Sequence, residues 1–116
     1  MKTRLILVAA LGALASLPAP ALADAGDFLL INGTEVALGD VSIRRSGTES
    51  WKKLATAPSP GARSSIKFAD PDCAFDLQAT VAGSAVTWAG VNLCDVKSVT
   101  LKSDGSAGPW VDYDAP

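Results

Sequence analysis

Asp70, Asp72 and Asp76 are the residues whose type and spacing come closest to a chemical constellation. Two carboxylates one residue apart, with a third four positions on, could offer hard oxygen ligands to calcium. No Asp-x-Asp-x-Asp-Gly loop with a closing Glu follows, so the plainer reading is preferred: a solvated acidic turn plus one outward strand carboxylate. Cys73 and Cys94 are the only sulfur nucleophiles, and neighbouring Asp70, Asp72, Asp76 and Asp95 disfavour a thiolate at either. The chain has no histidine, which removes the usual general base and the commonest transition-metal ligand. A serine nucleophile would then need a lysine or a carboxylate as its base, and the chain has neither a nucleophile elbow nor a Gly-rich phosphate cradle. Three aromatic residues are candidates for contacting a partner. Trp51 is read either as a recognition residue or as a plug over one end of a core, and Trp110 with Tyr113 sits in an acidic C-terminal stretch.

These residues need a scaffold, and the sequence describes a small exported one. Met1 to Arg4 is basic, Leu5 to Leu17 is apolar, and Ala21-Leu22-Ala23 is a small-x-small cleavage site, so residues 1–23 read as a Sec-type signal peptide. The apolar run is too short to span a bilayer, and no later stretch approaches about eighteen apolar residues. The expectation is a soluble periplasmic or secreted protein. Residues 24–116 carry eight Lys and Arg against twelve Asp and Glu, a net charge of −4, which argues against a nucleic-acid partner. In an oxidising compartment, Cys73 and Cys94 are expected to form one disulfide, adding about 3 kcal/mol to a domain with a thin stability margin.

Period-two alternation dominates. Cys73, Phe75, Leu77, Ala79 and Val81 alternate with Asp76, Gln78 and Thr80, as in a half-buried strand. Ala62 to Phe68 behaves likewise after the Pro60-Gly61 turn, and Asp70-Pro71-Asp72 is expected to join the two as a hairpin-like loop. Val86 and Trp88 alternate, but the apolar phase shifts at Gly90 to Val91 and Leu93, the mark of a bulge or bend. Beside the cysteines, Asp76 and Asn92 are expected to bond backbone groups and fix that bend. Val99 and Leu101 face inward in the next strand. Upstream, Phe28 to Ile31 is an apolar strand ended by Asn32-Gly33, which suits a tight turn with positive φ. Val36 to Leu38 is placed to pair back, Asp40 to Arg45 reads as a further strand, and Arg44-Arg45 reads as two solvated residues. Ser50 to Thr56 is allowed one helical turn, and no amphipathic helix is present. The expected architecture is a small antiparallel β-sandwich, or open barrel, of about six strands over residues 24–102, followed by a loose C-terminal tail at 103–116.

The ordered set Trp51-x-x-Leu54, Pro60-Gly61, Ile66-Lys-Phe68, Cys73-Ala-Phe-Asp-Leu77, Gly90-Val-Asn-Leu-Cys94 and Val99-Thr-Leu101 resembles a group of small exported bacterial proteins of uncharacterised role. The resemblance spans roughly residues 28 to 102 and implies a compact, disulfide-braced β domain. It implies no activity, cofactor or ligand set. The short region between Ile43 and Trp51 and the Trp110-containing stretch depart from the shared pattern.

The expected function is therefore that of a non-enzymatic exported module, with no cofactor, engaging a protein or glycan partner at the cell envelope or outside the cell. Two alternatives stand beside it: a calcium-assisted or carbohydrate-binding module built on Asp70, Asp72 and Asp76, and a small exported hydrolase inhibitor. Neither the identity of the partner nor the oligomeric state is readable from the residues.

Overall fold

A computed structural model describes residues 24–104 and 108–114, so the signal-peptide segment 1–23 lies outside the described residues. Eight strands are present among them: β1 (Phe28–Asn32), β2 (Val41–Arg45), β3 (Lys52–Ala55), β4 (Arg63–Ile66), β5 (Ala74–Val81), β6 (Ser84–Asn92), β7 (Ser98–Ser103) and β8 (Pro109–Tyr113). They form two four-stranded sheets, ordered β4-β1-β7-β8 and β3-β2-β5-β6, packed as a sandwich. The all-β sandwich expected from alternation is present, with two strands more than anticipated.

Four expectations are corrected. The first sheet is mixed, because β1 runs parallel to β7. The segment Ser50 to Thr56 forms the edge strand β3, where Lys52 and Lys53 are exposed and Leu54 packs inward, instead of a helical turn. Ser103 and residues 109–113, read as part of a loose tail, are ordered: β8 pairs with β7 from Val99↔Tyr113 to Ser103↔Pro109. Asp70-Pro71-Asp72 is no hairpin, since β4 and β5 lie in different sheets and the segment crosses between them.

The core forms where the inward sides of the two sheets meet. Leu30 from β1, Val99 and Leu101 from β7, Ile43 from β2, Leu77 from β5 and Trp88 from β6 are essentially inaccessible to solvent. The indole N–H of Trp88 donates to the carbonyl of Lys102 at 2.9 Å, so the largest core side chain also satisfies its polar atom across the sheets. Phe68 meets both Phe75 and Phe28 edge-on, closing the core under the inter-sheet crossing.

Two turns show how local chemistry sets register. Ala82 and Gly83, with φ of 50° and 86°, make the two-residue turn that joins β5 to β6. At the other end of this hairpin Phe75 pairs with Val91 but Leu77 pairs with Trp88, so Ala89 and Gly90 together oppose Asp76. This is the bulge anticipated at Gly90, whose φ is 66°. It lets Trp88 and Val91, three residues apart, both face the core.

The Cys73–Cys94 disulfide joins the residue before β5 to the segment beyond β6, with the Cα atoms 5.1 Å apart. Ala25 forms single bridges to both Asp70 and Cys94, so the beginning of the described chain stitches the same end. This end of the sandwich is the disulfide end.

Candidate functional site

The three sequence-selected carboxylates gather at the disulfide end, but in two separate charge groups, one around each of two arginines. On β2, Val41 and Ile43 face the core, which turns Arg44 to the outer side, directly opposite Asp76 in the ladder. Arg44 Nε lies 2.9 Å from Asp76 Oδ2, while Asp76 Oδ1 accepts the Ser46 hydroxyl at 2.7 Å and the Gly90 N–H at 3.0 Å. Burial pushes the Asp76 carboxyl up, and the three donors more than offset this, holding it below the usual aspartate range. The Arg44 guanidinium lies over the Trp51 ring, 4.4 Å from its centroid. Asp76 is thus outward-facing, as expected, but buried: it ties the bulge by accepting the Gly90 N–H, the backbone-fixing role anticipated for it, and Arg44 is paired instead of simply solvated.

Arg45, one residue on, reaches the inter-sheet crossing. Its Nε and Nη2 donate to Asp70, and Nε also lies 3.1 Å from Asp72 Oδ2. The N–H of Asp72 donates to Asp70 Oδ1 at 2.8 Å. That backbone bond, helped by Arg45, lowers the Asp70 carboxyl below its ordinary value. Asp70 and Asp72 therefore share one guanidinium, Asp76 answers to the other, and no three metal-ligating side chains cluster among the described residues. Asn92 Oδ1 accepts the Cys94 N–H at 2.8 Å, the backbone-fixing role expected of it. Sequence reasoning missed the parts played by Arg44, Arg45 and Ser46; the only available signal was two adjacent cations in a chain whose selected carboxylates lie about thirty residues away.

Two Ser-x-x-Lys spacings, Ser50 to Lys53 and Ser64 to Lys67, fall on extended backbone, where residues three apart point to opposite faces. Lys53 and Lys67 pair instead with Asp40 and Asp27.

The opposite end of the sandwich has a different character. Of the three large apolar side chains left exposed among the described residues, each about two-fifths accessible, Val36 and Trp110 stand here, whereas Tyr113 lies toward the disulfide end beside Asn92. Val36 and Trp110 line one open groove of about 870 Å³, together with Val86, Lys102 and Glu35. Trp110 is held there by β8, opposite Lys102 in the ladder. Val36 is held by a loop built on Asn32, a fully buried side chain at the end of β1. Asn32 Nδ2 donates to the carbonyls of Val36 and Pro58, and its Oδ1 accepts the Thr34 N–H. Asn32-Gly33 makes no positive-φ turn, and the segment Val36 to Leu38 does not pair back on β1: Leu38 instead forms a single bridge to Val81 at the end of β5. Gly33 is required by close approach, since a Cβ there would lie 2.5 Å from Thr100 Cγ2 and 3.0 Å from the Leu101 carbonyl oxygen. The result is a loop whose shape is fixed from within, presenting an apolar side chain beside an indole.

Tyr113 completes the picture of the last strand. Its hydroxyl accepts the Asn92 N–H at 2.8 Å, tying β8 to β6 across the two sheets. Asp114, just beyond, accepts the N–H groups of Lys97 and Ser98, which lower its carboxyl and fasten the strand's end.

Comparisons of the chain with protein-family models, with curated proteins and with solved structures find no match. The reading of function rests on the geometry of the two ends.

Proposed function

We propose that this chain is an exported, non-enzymatic β-sandwich module that engages another macromolecule through its Trp110 end, at the cell envelope or outside the cell. The observation that carries this reading is the pairing of Trp110 and Val36, half-exposed, in one groove on a rigid support. Tryptophan in a concave, apolar setting with polar neighbours is the side chain most enriched among residues that dominate binding energy. Export is supported by the signal-like residues 1–23 and agrees with a disulfide-bonded domain. No helix among the described residues is long and apolar enough to cross a membrane.

The test is comparative capture. Immobilised residues 24–116 are exposed to envelope extract beside a Trp110→Ala variant of equal melting temperature. A loss of about 2 kcal/mol, or roughly 30-fold in affinity, is expected for the variant. Equal capture by both proteins would overturn the assignment of the Trp110 end.

A further inference from the structure

A sandwich of two open sheets has four edge strands, here β3, β4, β6 and β8. Exposed edges invite pairing with other chains, and proteins commonly guard them with charge or proline. Lys52 and Lys53 guard β3, Arg63 and the following Lys67 guard β4, and Pro109 and Asp112 guard β8. β6 differs, because its nine residues from Ser84 to Asn92 contain no charge and no proline.

β8 lies alongside β6 in the seam between the sheets without joining it by a ladder. At one end the two strands are bridged through the Tyr113 hydroxyl and the Asn92 N–H. At the other end Trp110 stands across the open groove from Ser84 and Val86. The two-residue turn makes Val81 and Ser84 a hydrogen-bonded pair, so alternation directs the N–H groups of Ala85 and Thr87 away from β5. The same register leaves the Thr80 carbonyl facing the other way, where it accepts the Gly39 N–H at 3.0 Å.

We infer that the β6 edge takes an extended, predominantly uncharged peptide segment of a partner protein, which enters the seam from the groove and pairs with Ala85 and Thr87. This rests on the reading of the Trp110 end as a recognition surface and gives it a ligand class. Main-chain bonds to β6 supply the register, and alternate side chains of the guest strand lie against Val86, Trp110 and Val36. An unguarded edge accepts an uncharged strand without a desolvated charge, whereas pairing on β3 or β4 would crowd lysine or arginine.

The experiment selects random linear peptides displayed on phage against the folded protein and maps bound peptides by amide hydrogen exchange. Enriched sequences with alternating apolar residues are expected, slowing exchange at Ala85 and Thr87 by about tenfold or more. Ala85→Pro removes an outward N–H without breaking the β5 ladder, and Ala85→Lys places a charge on the edge. Each should weaken peptide binding by about tenfold or more at unchanged melting temperature. No enriched peptide, protection confined to β3 or β4, or a second copy of the chain occupying β6 would each overturn the inference. In the envelope capture, loss with Trp110→Ala but not with either Ala85 variant would retain the groove and discard strand addition. Indifference to all three would discard both.

Discussion

Replacing Asp76 by alanine is the perturbation whose outcome the structure specifies most fully. The carboxylate accepts three donors: the Arg44 guanidinium at 2.9 Å, the Ser46 hydroxyl at 2.7 Å and the Gly90 N–H at 3.0 Å. Removing it leaves a half-buried guanidinium over Trp51 without its counter-charge and unties the backbone of the bulge. Breaking one side of a buried pair costs about 3–5 kcal/mol, well above the fraction of a kilocalorie expected for an exposed pair such as Lys67 with Asp27. The expected loss is therefore about 3–5 kcal/mol, a large share of the roughly 5–15 kcal/mol that holds a domain folded. Urea denaturation followed by tryptophan fluorescence measures it, and the buried Trp88 indole makes the signal sensitive to the core. A pH series adds a second readout. The folded-state pKa of Asp76 is depressed, so its stabilisation is present above the ordinary aspartate value of 3.8 and is lost as pH falls through that value toward the depressed one. The alanine variant should lose less stability than the wild type over this acid interval. A loss under about 1 kcal/mol at neutral pH, or an acid dependence identical to wild type, would refute the role assigned to this network.

Further predictions concern the scaffold. Cys73→Ser or Cys94→Ser should lower stability by about 3 kcal/mol, read from urea midpoints, and reduction of the native protein should lower its melting temperature. Gly33→Ala should destabilise by about 1–3 kcal/mol in the same assay, because the new Cβ meets Thr100 and the Leu101 carbonyl. Ala82→Asn should raise the melting temperature, since Ala82 adopts φ 50°, a left-handed conformation that costs alanine about 1 kcal/mol and that asparagine tolerates.

Alternation made much of the scaffold legible. Phe75, Leu77, Ala79, Val99 and Leu101 were readable as inward-facing because strand periodicity is local, and the phase change at Gly90 announced the bulge. The burial of Asp76 was not legible: the bulge places it opposite two residues and beside Arg44, a consequence of pairing with another strand. Asn32-Gly33 carried a turn signature, yet the pair is set by tertiary contacts, with Asn32 bonding Pro58 and Gly33 fitting against β7. The strand β8 was hidden by its Gly, Ser, Pro and Asp surroundings: Trp110, Val111 and Tyr113 suit a strand, but the β7 ladder and the Asp114 bonds that fix it are tertiary. Of the candidate site, Trp110 and Tyr113 were visible as unexplained aromatics. Val36 was not, because only the Asn32 loop brings it beside Trp110.

The central claim is a division of labour: the carboxylates at the disulfide end hold the fold together through Arg44 and Arg45, while the Trp110 end is the proposed recognition surface. Thermal melting of residues 24–116 with excess calcium and with chelator tests that division most directly, because a ligand bound to the folded state at 100 times its Kd adds about 2.7 kcal/mol. The account predicts coincident curves. A melting temperature several degrees higher in calcium, abolished in Asp70→Asn, would show that these carboxylates serve a ligand and would contradict it.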